Sequence, residues 1–435
     1  MSTKPAGWDD ENKVLPGVNI LSMLFIRGKC TTDKIPDLFD VFEKVLMDVN
    51  LDSKDILRNS LKADLSGRKS SLTNRGHSFA DTRLRGRYSV RNFLGEKMSG
   101  YSSLESSAAV LEAVESDWAQ FVLRLDRMRK AIINGNRSGM ILNLTGDKYV
   151  LDAAMEVAED FLVNKLPVDL GNPAPPTPDF RSTEHPWVAP AREEMSRAFS
   201  SQDEGIAVPT QVAYVGEGGR MYDVGETVSG SASVVSHYLS TGYMWDVIRA
   251  KNGAYGGECF IAVLLCCLFE VVNFANKSNP AFSKFSSVDG VGTFLTYRDP
   301  NTPDATLGLF NGAAQSVLDD VESSALTRDN NAAITTAIIG TIGGLDGSAK
   351  SAQAAGWEAL IRHLYGESTI SRQRHRNEIL KTTVDDFIDY AQRIKSWREQ
   401  SVAIVASLSA FNEMQSRTGH ELSVLVQAKE EDDSE

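Results

Sequence analysis

Trp245-Asp246-Val247-Ile248-Arg249-Ala250-Lys251-Asn252-Gly253-Ala254-Tyr255-Gly256-Gly257-Glu258-Cys259 reads as the end of a helix, a glycine turn and the start of a strand. Gly292-Thr293-Phe294-Leu295-Thr296-Tyr297-Arg298-Asp299-Pro300-Asn301 reads as a second strand. The stretch gathers a cation, a phenol and a cluster of glycines, which suits backbone that approaches a bound chain while two side chains reach a polar atom. Arg249 offers permanent charge and several donors, and Tyr255 one directional hydroxyl. Together they could hold a carbonyl oxygen as negative charge grows on it. On residue types alone, a structural arginine and an amphipathic core tyrosine are the plainer reading.

Working outward, strands alternate with helical pairs. Val18 to Arg27 reads as a strand, followed by a helix capped at Asp33 with Ile35, Leu38, Phe39, Phe42, Val45 and Leu46 on one face. Further helices are expected over Leu51 to Ser71, Ser78 to Phe93, Glu112 to Ile133 and Tyr149 to Lys165, with a short strand over Met140 to Thr145. Seven prolines between Leu166 and Pro190 read as an extended linker. Beyond it the order repeats: a strand over Ala207 to Val215, a tight glycine turn over Val215 to Arg220, and a helix over Ser231 to Leu239. Strands around Gly256 and Phe294 follow, then helices including Val384 to Lys395, and a closing strand over Val402 to Leu408. The expected class is therefore α+β: two related domains, each a β-sheet with helices packed on one face. The limits are 1–165 for the first, 166–200 for the linker, 201–425 for the second and 426–435 for an acidic tail.

At 435 residues the chain is long for one core, and 42% hydrophobic with 24% charged residues is ordinary for a globular protein. A net charge of -13 argues against a nucleic-acid footprint and suits either solubility or basic peptides. Four cysteines (Cys30, Cys259, Cys266, Cys267) form no C-x-x-C pair, which favours a reducing compartment. Met1 to Lys13 has the composition of neither a signal nor a transit peptide. The longest apolar run, Phe260 to Val272, is broken by Glu270 and falls short of the ~20 residues of a membrane span. The six histidines (His77, His185, His237, His363, His375, His420) are scattered, so no H-E-x-x-H or H-x-x-E-H motif exists. Val215 to Arg220 lacks the Lys-Ser/Thr of a phosphate loop, and no G-x-S-x-G elbow occurs.

Several segments carry a resemblance: Ile26-Arg27-Gly28-Lys29, Arg75-Gly76-His77-Ser78-Phe79-Ala80, Ile141-Leu142-Asn143-Leu144-Thr145 and Pro209-Thr210-Gln211-Val212-Ala213-Tyr214-Val215-Gly216. Gly230-Ser231-Ala232, Tyr297-Arg298-Asp299-Pro300-Asn301 and Ala337-Ile338-Ile339-Gly340-Thr341-Ile342-Gly343 continue it. In this order they resemble the C-terminal half of presequence proteases, pitrilysin-like zinc metallopeptidases that degrade targeting peptides in mitochondria and plastids. The resemblance implies one half of a bowl-shaped enzyme that closes over unfolded peptides, in the mitochondrial matrix or plastid stroma. It places the catalytic arginine and tyrosine on Arg249 and Tyr255, with Gly253, Ala254 and Gly256 around the bound substrate. It also implies that zinc sits in an N-terminal half missing from this chain, so that this chain holds no cofactor and would be inactive alone. A catalytically inactive peptide- or partner-binding protein of the same fold is the alternative.

The chain departs from the family pattern in two places. It is expected to begin partway into the family's third domain. Residues 260–283 interrupt the familiar spacing between Cys259 and Lys284, either as a translated intron or as a true loop insertion, and far exceed the usual hairpin connection of about two to five residues.

Overall fold

The computed structural model describes residues 20, 23–133, 140–167, 186–261, 290–347, 350–365 and 367–426. Most of the expected insertion 260–283, most of the proline-rich stretch and almost all of the acidic tail lie outside them.

The N-terminal region is helical: α1 (Ile35–Met47), α2 (Lys54–Asn74), α3 (Gly76–Gly86), α4 (Val90–Ser99), α5 (Ser102–Ser116), α6 (Trp118–Ile132) and α7 (Lys148–Asp160). Two helices expected to be continuous are each broken by a capping residue. Ser89 accepts from the Asn92 amide and Asp117 from the Gln120 amide, so each starts a new helix where apolar periodicity runs on unbroken. α8 (Val188–Ala198) falls inside the expected linker. Its Pro190 sits in the first turn, where a missing N–H costs no helical hydrogen bond.

One six-stranded sheet is present among the described residues: β1 (Glu204–Ala207), β2 (Tyr214–Arg220), β3 (Gly256–Ile261), β4 (Val291–Tyr297), β5 (Arg398–Ala406) and β6 (Ser423–Val426). Their order is β3-β4-β2-β5-β1-β6, with β1 parallel to β5 and β6 and the other pairs antiparallel. The single strand expected over Ala207 to Val215 is two strands separated by β5. Pro209 cannot donate to a ladder, and the chain reverses there. The expected glycine turn is instead central strand β2. A Cβ on Gly218 would lie 2.7 Å from the Gly292 carbonyl and 3.1 Å from Leu84, so glycine lets α3 lie close on the strand. The closing strand is also central, lying between β2 and β1, and α16 (Leu408–Thr418) and β6 follow it.

Both faces of this sheet are covered, where one was expected. Residues alternate: Val215, Phe294, Val402 and Ile404 point to one side, Tyr214, Leu295 and Val405 to the other. The first side packs under α9 (Ser231–Thr241), α10 (Pro303–Phe310), α11 (Ala313–Glu322), α12 (Arg328–Asp346), α14 (Thr369–Leu380) and α15 (Val384–Lys395). The second packs under Leu72, Phe79, Ala80 and Leu104 of the N-terminal helices. A buried ionic cluster fastens this layer: Arg83 and Arg87 grip Glu204 at 2.9 and 2.8 Å, and Arg83 also lies 3.5 Å from Glu96. The α+β class thus holds, but the N-terminal helices serve the sheet of the C-terminal region.

The strands expected over Val18 to Arg27 and Met140 to Thr145 do not form where described: residues 23–30 and 140–145 enter no ladder. The first packs on α13 (Ala352–Tyr365), with the Phe25 and Trp357 rings 5.1 Å apart edge-on. Leu24, Ile26, Met140, Ile141 and Leu142 remain exposed.

Candidate functional site

Arg249 sits on a short π-helical stretch, Met244–Lys251, a conformation that recurs at functional sites. Met244 and Ile248 bury into the core, which turns Trp245 and Arg249 outward. The Arg249 guanidinium stacks on the Trp245 ring at 4.0 Å, holding a long flexible side chain against a flat surface. The chain then turns at Gly253, whose φ of +78° only glycine adopts freely. The Gly253 amide donates to the Arg249 carbonyl at 3.0 Å, and the Ala254 amide to the Ile248 carbonyl at 3.2 Å. Ala254 is 2% exposed, so it anchors the turn in the core. Tyr255 comes next and is 70% exposed. Its amide bonds the Tyr297 carbonyl at 3.0 Å, and β3 begins at Gly256, opposite Tyr297. One turn therefore presents both the cation and the phenol to solvent.

A polar network fixes this turn from behind. Asp299 pairs its backbone with Ala213, and its carboxylate accepts from Thr306 at 2.6 Å and from the Asn301 amide and side chain at 2.9 and 2.8 Å. Asn301 in turn donates to the Asn252 carbonyl at 2.7 Å. On the other side of the strand end, His77 packs edge-on against Tyr297 at 4.8 Å. Burial, helped by the nearby Arg75 charge, pushes the His77 pKa down to about 4, so the ring is neutral near pH 7. Sequence reasoning gave no role to Trp245 or to Asp299 and Asn301. The i,i+4 spacing of Trp245 and Arg249 was the available signal; the Asp299 partners are scattered along the chain and left none.

The described residues do not fit a catalytic metal: no group of three or more His, Cys, Asp or Glu among them is arranged to hold one. His237 is held by packing, and its pKa is lowered by burial. Among the described residues no helix is long and apolar enough to cross a membrane. What the site offers is hydrogen-bond donation and positive charge on a rigid turn.

The profile of the PreP C-terminal domain matches residues 203–269 and 260–409, and that of the region associated with subgroup C of the M16 peptidases matches residues 16–108. Presequence protease 1, chloroplastic/mitochondrial, of Arabidopsis thaliana is 30% identical over 387 residues, covering 89% of this chain and 31% of that protein. A mitochondrial presequence protease of Danio rerio is 22% identical over 423 residues, 94% of this chain and 37% of that protein. The pitrilysin crystal structure superposes with a TM-score of 0.51 at 11% identity, covering 92% of this chain and 36% of that one. That likeness is one of fold. The chain spans roughly a third of the length of these relatives. With two profiles of one family matching it in order and presequence proteases aligned along most of its length, the chain belongs to the presequence protease group of the M16 peptidases, whose C-terminal half it resembles.

Proposed function

We propose that this chain is the substrate-enclosing C-terminal half of a zinc metalloendopeptidase that degrades targeting presequences and other short unfolded peptides. In this reading Arg249 and Tyr255 bind the peptide and donate to the scissile carbonyl oxygen as charge develops on it. Gly253 and Gly256 keep the backbone low enough for a peptide to pass. The observation that carries the proposal is the placement of both side chains, exposed, on one braced turn. Trp245 limits the freedom of Arg249, so less entropy is lost when it engages substrate.

Zinc belongs, in this reading, to an N-terminal half acting as partner, and supplies activated water when bound there. The exposed apolar side chains of Leu24, Ile26, Met140, Ile141 and Leu142 support the need for such a partner. The mitochondrial matrix or plastid stroma is the proposed location, after the relatives' names.

The test is turnover of a fluorogenic peptide by this chain reconstituted with the zinc-bearing half of a presequence protease. Arg249→Ala or Tyr255→Phe should lower kcat by about ten- to a thousand-fold, as lost oxyanion donors do. Near-normal turnover in both variants would remove the role assigned to the pair.

A further inference from the structure

Beside Tyr255 lies a second arginine that the reading above leaves unused. Arg298 follows β4, and its carbonyl lies 3.4 Å from the Tyr255 amide that bonds Tyr297. It is exposed and holds a φ of +50°, a left-handed backbone that costs a non-glycine residue about 1 kcal/mol or more. The next residue makes that conformation obligatory, since Asp299 is locked by its paired backbone bonds to Ala213 and by Thr306 and Asn301. The consequence is a guanidinium turned back over the Tyr297 ring, 5.5 Å from its centre.

Other surface arginines of the same region are paired with carboxylates: Arg220 with Glu399, Arg376 with Asp346, Arg393 with Glu226 and Arg417 with Asp304. Neither Arg298 nor Arg249 has a carboxylate partner among the described residues; aromatic rings hold both. In a chain of net charge -13, two exposed arginines held by rings rather than acids, on the two chain segments that meet at the Tyr255 backbone, leave positive charge there without a carboxylate to neutralise it.

Resting on the peptide-binding reading of this face, we propose that Arg298 is a specificity residue that takes a carboxylate of the bound peptide, beside the contacts made by Arg249 and Tyr255. A guanidinium already packed on a ring loses little freedom on binding, and its planar fork matches a carboxylate. The carboxylate can come from the peptide's C-terminus or from an acidic side chain.

The experiment uses the full 435-residue chain and three fluorescein-labelled peptides of one neutral sequence. One has a free C-terminus, one is amidated, and one is amidated with a single internal Glu. Fluorescence anisotropy at low salt gives Kd for the wild type, Arg298→Gly and Arg298→Lys. Glycine suits the positive φ, so Arg298→Gly removes the cation without strain, and its Tm should not fall. The expected result is that the wild type binds one carboxylate peptide about ten-fold more tightly than the plain amide, which also identifies the source. Arg298→Gly should erase that preference and leave the amide unchanged, with Arg298→Lys in between. Equal wild-type affinity for all three peptides overturns the proposal and leaves the peptide-binding reading standing. So does an Arg298→Gly variant that weakens all three alike with a lowered Tm, which is the signature of a structural arginine. A wild type that binds none of the three overturns both.

Discussion

Charge is handled in opposite ways at two positions of the sheet. Arg249 is kept exposed, and the carboxyl of Glu217, on central strand β2, is buried. Burial pushes the Glu217 pKa up to about 7; Asp203 adds to this, and a hydrogen bond from Gln400 opposes it. The folded state therefore holds the Glu217 proton more tightly than the unfolded chain does. Stability from this group is greatest below about pH 4.5 and falls as pH rises through 7, by on the order of 3 kcal/mol. Glu217→Gln keeps an acceptor for Gln400 but cannot ionise. Its Tm relative to wild type should rise by a few degrees between pH 5 and pH 8; parallel profiles would show that Glu217 is not buried as described. The sequence hid this residue, because a glutamate flanked by Gly216, Gly218 and Gly219 reads as a solvated turn. Arg249 and Tyr255 stood out because glycines lie around them, but a side chain stacked on Trp245 is visible only once the backbone is folded.

At the scale of elements, the turn between the π-helical stretch and β3 is only as rigid as its support. Asp299 accepts three hydrogen bonds from residues of the β4–α10 connection and α10, and Asn301 carries the constraint on to Asn252. Asp299→Ala leaves the buried Thr306 hydroxyl without that acceptor and frees the turn, and should cost about 2–4 kcal/mol. Urea denaturation reads this as a lower midpoint with unchanged slope; a loss below about 1 kcal/mol would mean the network is not the brace. Element types were largely legible from periodicity, as in α1 and α15. Element limits were less so: Ser89 and Asp117 interrupt runs whose apolar spacing continues past them. Strand β2 was read as a turn because its glycines answer to α3 packed across them, which is information from a distant part of the chain.

Across the whole molecule, the N-terminal helices and the C-terminal sheet are one packed body. Leu72, Phe79 and Ala80 fill the second face of the sheet, and Arg83 and Arg87 bury their charges against Glu204. The sequence suggested two similar units because strands separated by helical pairs occur twice along it, the first time from Val18. What it could not show is that the strand expected from Val18 enters no ladder among the described residues, while helices beside it cover a sheet further along. The central claim is that this polypeptide contributes a cation and a phenol to chemistry completed by a metal-bearing partner. The most direct measurement is hydrolysis of a quenched fluorescent peptide by this chain alone, by a presequence protease's zinc-bearing half alone, and by the two mixed. The account predicts turnover only in the mixture. Hydrolysis by this chain alone, after metal stripping and zinc readdition, or no gain in rate on mixing, would contradict it.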